Sequence, residues 1–184
     1  QYRQQSGESE RTGFISFENA YHGDTMGASS LGGVSLFFER FRSFGFPATR
    51  VGSLADLSAL PATQISTTAA VVLEPLIQGV NEMRPWPAGQ LAEIRAWCDE
   101  QGVHLILDEV MTGFGRTGTM FACQQEEVIP DFLCLAKGLT GGYLPLAATM
   151  TTGPVFDAFL GERDRTFHYG HSYTANQLGC AVAL

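Results

Sequence analysis

Lys137 is the only lysine in this chain of 184 residues; the other ten of its 11 basic side chains are arginines. Its setting is not that of a solvating surface charge. The apolar run Phe132-Leu133-Cys134-Leu135-Ala136 leads into it, and Gly138-Leu139-Thr140-Gly141-Gly142 follows. An amine held between an apolar run and a glycine-rich turn is expected to be partly desolvated. Desolvation disfavours the ammonium form and leaves an amine that can attack a carbonyl carbon to form a Schiff base. The competing explanation is a single lysine surviving in an arginine-biased composition.

A second candidate is Asp108, which closes the apolar run Leu105-Ile106-Leu107. A carboxylate at a strand end can hold a proton on a pyridine nitrogen and keep the ring an electron sink. A lysine can carry an aldehyde as an imine and later move a proton between carbons. These are the two protein groups that pyridoxal phosphate chemistry most needs. Taken alone, Asp108 could equally cap a helix or pair with Arg116. The same stretch holds a literal G-x-G-x-x-G at Gly113, Gly115 and Gly118, but a dinucleotide-binding reading fails on context. That fingerprint opens a helix directly after its strand, whereas residues 108–112, two of them acidic, intervene here. Acids beside a phosphate cradle would repel the pyrophosphate.

These residues need elements to position them. Ala69–Leu73, Val103–Leu107 and Phe132–Leu135 read as buried parallel strands, and Leu146–Met150 as a possible fourth. Gly89–Gln101 carries Leu91, Ile94, Ala96, Trp97 and Cys98 at helical spacing, with Gly102 as its cap. Thr25–Leu31 could form a helix capped by Asp24. Leu36–Phe46, rich in phenylalanine and punctuated by glycine, suggests a loop packed on the core. The strand–helix–strand order predicts an α/β fold with a mainly parallel central sheet and flanking helices. Glu74, Asp108 and Lys137 each fall at or just past a strand's carboxyl end, where open α/β sheets bind ligands, so the three can converge.

Composition narrows the partners. A formal charge of −8 argues against nucleic acid or an anionic membrane surface. No apolar run approaches the ~20 residues of a membrane span, and Gln1 to Arg11 lacks the apolar stretch of a signal peptide. Cys98, Cys123, Cys134 and Cys180 are widely spaced among apolar neighbours, which suggests buried free thiols in a reducing cytoplasm. His168 and His171 have no third ligand type nearby in sequence, so no metal site is assigned.

Four motifs in order bring a family into view. Tyr21-His22-Gly23-Asp24-Thr25, then Leu73-Glu74-Pro75-Leu76-Ile77-Gln78-Gly79, then Asp108-Glu109-Val110 with Gly113, Gly115, Arg116 and Gly118, followed by Leu135-Ala136-Lys137-Gly138-Leu139, and finally Gly170-His171-Ser172-Tyr173-Thr174-Ala175-Asn176 resemble class III pyridoxal-phosphate aminotransferases. The resemblance spans essentially the whole chain. It implies that residues 1–184 form part of the large, pyridoxal-phosphate-binding domain of a fold-type I transferase, without an N-terminal segment and a C-terminal small domain.

By the same resemblance, Lys137 is the Schiff-base lysine and proton shuttle, and Asp108 pairs with the pyridinium nitrogen. Tyr21 lies against the ring and shapes the substrate pocket. His171 and Ser172 meet the phosphate, on a loop that in this family reaches the cofactor of a partner subunit in a homodimer. Gly170 admits substrate closely, while Glu74 and Asp24 stand behind Asp108 and Tyr21. Ser172 stands where threonine is more usual, which keeps the hydroxyl. The wording of Ala20–Ala28, Gly113–Cys123 and Leu139–Thr149 resembles the branch that draws its amino group from S-adenosylmethionine in biotin synthesis. An ω-amino-acid aminotransferase and a non-catalytic pyridoxal-phosphate-binding protein are the alternatives.

Overall fold

Parallel strands cannot be joined by a tight turn, so each pair needs a crossover long enough to return the chain to the same edge. The computed structural model, which describes residues 1–184, shows how this chain meets that need. In chain order its strands are β1 (Gly13–Phe17), β2 (Thr49–Val51), β3 (Thr68–Leu73), β4 (Ile77–Gln78), β5 (Arg84–Pro85), β6 (His104–Asp108), β7 (Phe132–Leu135) and β8 (Ala148–Thr151). Six of them form one sheet in the order β2-β1-β3-β6-β7-β8, while β4 and β5 make a separate hairpin. Every pairing from β2 to β7 is parallel, and only β8 runs antiparallel, against β7. The expected mainly parallel α/β sheet is therefore present, with its last strand reversed.

The crossover between β3 and β6 carries the longest helix, Gln90–Gln101. Gly89 and Gly102 flank it at φ +83° and +62°, a left-handed backbone that glycine adopts without a Cβ penalty. Its first turn is completed from outside: the Glu126 carboxylate accepts from the backbone N–H of Gly89 and of Ala92, both at 2.9 Å. A negative group there also favours the positive end of the helix dipole. Leu91, Ile94, Trp97 and Cys98 point from this helix into a core with Ile15, Phe17, Val71, Leu73, Leu105 and Leu107 of the strands.

One face of the sheet is thus sealed, and the other only in part. Along β6 burial alternates, with Leu105 and Leu107 fully enclosed and His104, Ile106 and Asp108 half-covered. The sequence read Val103–Leu107 as buried throughout; the structure covers it on one side.

Other expectations shift for local reasons. The helix Met26–Leu31 is capped by Thr25, whose Oγ1 accepts from Ala28 N at 3.4 Å, and not by Asp24. Leu36–Phe46 is a short helix, Ser35–Phe38, followed by a 3₁₀ helix, Glu39–Phe44, and of its phenylalanines only Phe38 is buried. Phe44 remains 74% exposed, so this segment is not packed on the core as its composition suggested. All four cysteines are free thiols, but Cys134 and Cys180 are half-buried whereas Cys98 and Cys123 are enclosed. Burial pushes both enclosed thiols up to about 12.

Asp131, just before β7, ties the layers together. Its carboxylate accepts from Leu105 N of β6 at 2.8 Å and from Arg95 of the long helix at 2.9 Å, with His104 Nδ1 at 3.5 Å. Its own N–H donates to Leu105 O, and its carbonyl accepts from Thr152 N. Burial opposes ionisation, but the bonds from His104, Leu105 and Arg95 outweigh it and hold the carboxyl well below the usual carboxylate range. A depressed folded value stabilises above the unfolded pKa of about 3.9 and is lost as pH falls through the folded value. Asp131→Asn is therefore expected to lower the unfolding free energy by about 2–4 kcal/mol near pH 7. Denaturant titrations should show that deficit narrowing towards about pH 3; a deficit independent of pH would contradict the assignment.

Candidate active site

Registration fixes the site. Leu107 pairs with Leu73 of β3 and with Leu133 of β7, and Asp108 pairs with Cys134. The backbone bond from Glu109 N to Cys134 O, 2.9 Å, extends the pairing past the end of β6. Three neighbouring parallel strands therefore release their loops at one level, and Glu74, Asp108 and Lys137 emerge together. They line one cavity of about 230 Å³ with Tyr21, His22 and Val110. Lys137 also borders a larger cavity of about 840 Å³ with Thr140, His171, Thr174 and Asn176.

Each side chain is held by identifiable bonds. Glu74 is buried, and its oxygens accept from Tyr21 N (3.1 Å) and Gly79 N (2.8 Å), so one carboxyl joins the loops that follow β1 and β3. Trp86 Nε1 donates to the Glu74 carbonyl at 2.8 Å, fixing the backbone at the same point. Burial pushes the Glu74 carboxyl up, against the smaller opposing effects of the two N–H donors and His22. Asp108 accepts from Val110 N through Oδ1 (3.1 Å), and its Oδ2 lies 2.8 Å from His22 Nδ1.

Tyr21 sits between the cavity and Phe37, whose ring it meets edge-on at 5.7 Å. The Asp24 carboxylate beside its hydroxyl, with burial adding less, pushes the Tyr21 phenol above its ordinary value.

Lys137 departs from expectation in one respect. Burial along β7 ends at Leu135, after which the chain turns and leaves Lys137 exposed, so its apolar neighbours in sequence do not enclose it. The turn is tight: Lys137 has φ +42°, an unfavourable backbone for a residue with a Cβ. A Cβ on Gly138 would fall 2.9 Å from the Phe114 side chain, so only glycine lets the Gly113-Phe114-Gly115 loop pack on this turn. The glycines that mimic a dinucleotide fingerprint open no helix; they shape the ground beneath Lys137.

Of the residues marked from sequence, Tyr21, Glu74, Asp108 and Lys137 meet at the smaller cavity, and Asp24 stands behind Tyr21. His171 lies across the larger cavity from Lys137, its Nδ1 accepting from Tyr173 N at 3.1 Å. Ser172 and Gly170 share its exposed turn but line neither cavity.

Two residues that shape the site escaped the sequence reading. His22 adjoins Tyr21 in sequence and reaches Asp108, a contact its motif alone does not reveal. Glu109 was read only as part of an acidic pair. It is fully buried and accepts from Thr112 Oγ1 (3.0 Å), Ala122 N (2.8 Å) and Cys123 N (2.9 Å), closing the loop after β6.

The mainly parallel α/β sheet thus brings an amine and an anchored carboxylate to one strand-end cavity. The chain matches the family described as Aminotransferase class-III over residues 1–184. It is 46% identical to the adenosylmethionine-8-amino-7-oxononanoate aminotransferase of Nitratidesulfovibrio vulgaris, an alignment covering 100% of this chain and 38% of that protein. The solved structure of the enzyme of the same name from Methanocaldococcus jannaschii superposes with a TM-score of 0.94 at 44% identity, over 99% of this chain and 44% of that one. An amine transaminase from an uncultivated Pseudomonas species, solved in a PLP-bound form, superposes at 0.85 with 35% identity, over 99% of this chain and 46% of its own. The chain belongs to the class-III aminotransferase family. It spans about two fifths of the length of the relatives it matches.

Removing the buried Glu109 carboxylate strands three donors at once. Glu109→Ala is expected to cost about 3 kcal/mol or more. Hydrogen exchange should quicken at Ala122 and Cys123 before it does in β6. Unchanged stability would contradict the anchoring role.

Proposed function

We propose that the full-length protein is a pyridoxal-phosphate-dependent aminotransferase that moves an amino group from S-adenosylmethionine to 8-amino-7-oxononanoate, giving 7,8-diaminononanoate for biotin synthesis. The observation that carries this reading is the shared lining of one cavity by Lys137 and Asp108. The donor set fits a pyridine aldehyde. Lys137 supplies a primary amine for the aldehyde carbon. Each oxygen of Asp108 accepts one hydrogen bond within the chain and so keeps a lone pair for a ring N–H. Tyr21 offers an aromatic wall. The particular substrates rest on the wording of the three loops around Tyr21, Arg116 and Leu144 and on the names of the relatives.

Pyridoxal phosphate, when bound, supplies an electron sink for negative charge at the amine-bearing carbon. The chain's own residues do the rest. Asp108 would accept a hydrogen bond from the ring nitrogen and so hold its proton in place. Lys137 would supply the primary amine that holds the group and, when free, the general base and acid that moves a proton at the donor's α-carbon. Because Lys137 is exposed here, its desolvation falls to whatever lies over it, the bound cofactor and, in a homodimer, the partner subunit. His171 and Ser172, on their exposed turn, suit a phosphate contact made across that dimer interface, with Gly170 admitting substrate beside them. The reading places the protein in the cytoplasm; no helix is long and apolar enough to cross a membrane.

Incubation of the full-length protein with pyridoxal phosphate, borohydride reduction and peptide mapping test the reading. The pyridoxyl group should appear on Lys137 and vanish in Lys137→Ala. S-adenosylmethionine should then convert the bound cofactor faster than β-alanine or ornithine does. An absent adduct would overturn the reading, an adduct with no amine-driven conversion would leave a binding protein, and preference for β-alanine or ornithine would move it to an ω-amino-acid enzyme.

A further inference from the structure

We infer that His22 is a positioning residue: its Nδ1–H fixes the Asp108 carboxylate through Oδ2, so that the remaining lone pairs of Asp108 stay aimed at the cofactor's ring nitrogen. This rests on the aminotransferase reading and goes beyond it, since His22 itself touches neither the aldehyde carbon nor the migrating proton.

The geometry constrains the histidine tightly. Nδ1 lies 2.8 Å from Oδ2, with the His22 side chain only 4% exposed and that of Asp108 13% exposed. A carboxylate oxygen is an acceptor, so Nδ1 must carry the proton. Nε2 has no hydrogen-bond partner although it is buried. A histidine serving only to fill space would be replaced without loss by an apolar side chain, which leaves no nitrogen stranded. An unsatisfied Nε2 is tolerated where the other ring nitrogen does something an apolar residue cannot. Here that is to hold Oδ2 while Val110 N holds Oδ1 at 3.1 Å, fixing both ends of the carboxylate from the protein side.

The neighbouring acid supports the same division of labour. Glu74 shares the cavity, and its burial pushes it towards the neutral form. The Glu74 oxygens are taken up by Tyr21 N and Gly79 N, whereas those of Asp108 are met by His22 Nδ1 and Val110 N. Two carboxyl groups at adjacent strand ends are thereby assigned different tasks. Glu74 ties loops through two backbone N–H groups, and Asp108 faces the cavity beside Lys137.

The full-length protein, loaded with pyridoxal phosphate carrying ¹⁵N in the ring, gives a direct readout, because the ¹⁵N resonance reports whether that nitrogen is protonated. His22→Leu removes the donor at similar volume, His22→Asn restores an N–H near the Nδ1 position, and His22→Gln places one near Nε2 instead. In His22→Leu the resonance should move towards the unprotonated ring, with cofactor affinity falling about tenfold. His22→Asn should return the resonance most of the way, and His22→Gln should not. A wild-type resonance in His22→Leu would overturn the inference, leaving His22 a packing residue. Should His22→Leu fail to fold, the Asn and Gln variants decide, and equal behaviour of the two overturns it. Uptake of cofactor on Lys137 with an unmoved resonance refutes this inference alone; no uptake on Lys137 by the wild type refutes the aminotransferase reading and this with it.

Discussion

The in-register parallel pairing of β3, β6 and β7 is the constraint on which everything else in this chain depends. Asp108 sits opposite Cys134, and Glu109 N reaches Cys134 O, so the second and third strand ends are locked to within one residue. A slip of one residue would turn every side chain of β7 to the opposite face and carry Leu133 and Leu135 out of the core. The apolar core therefore enforces a polar coincidence. Burying Leu105, Leu107 and Leu135 leaves Asp108 and Lys137 at a common level, at the end of the sheet where loops can open a cavity.

Holding that cavity open requires loops with fixed ends, and the chain fixes them with buried carboxylates rather than with ion pairs. Glu74 and Glu109 each take backbone N–H groups from loops otherwise free to move, Tyr21 and Gly79 in one case, Ala122 and Cys123 in the other. These bonds satisfy carboxyl oxygens and loop N–H groups that burial would otherwise leave unpaired. Asp108, held by His22 Nδ1 and Val110 N, lines the cavity beside Lys137. Local packing completes the arrangement, since Phe114 occupies the space that a side chain at Gly138 would need, and the turn that presents Lys137 is built on that contact.

The parts legible in the sequence were those governed by periodicity and strand order. Apolar runs ending in Glu74, Asp108 and Lys137 gave the sheet and its convergent ends, because strand pairing depends on pattern. The helix Gln90–Gln101 and its glycine boundaries followed from spacing in the same way. What escaped depends on which surface meets which. The aromatic content of Leu36–Phe46 implied burial, yet Leu36 stays 84% exposed, since composition does not say what an apolar side chain will face. Lys137 was expected to be shielded by its apolar neighbours, yet it is exposed on the turn that follows Leu135. The His22–Asp108 contact joins residues 86 apart in sequence, and no local pattern reports such a pair.

The most direct test of the whole account is a crystal structure of the full-length protein soaked with pyridoxal phosphate. The account predicts electron density continuous from Lys137 Nζ to the cofactor and the ring nitrogen about 2.7–2.9 Å from an Asp108 oxygen, with His22 still on Oδ2. A cofactor bound elsewhere, or one whose ring nitrogen faces a residue other than Asp108, would contradict it.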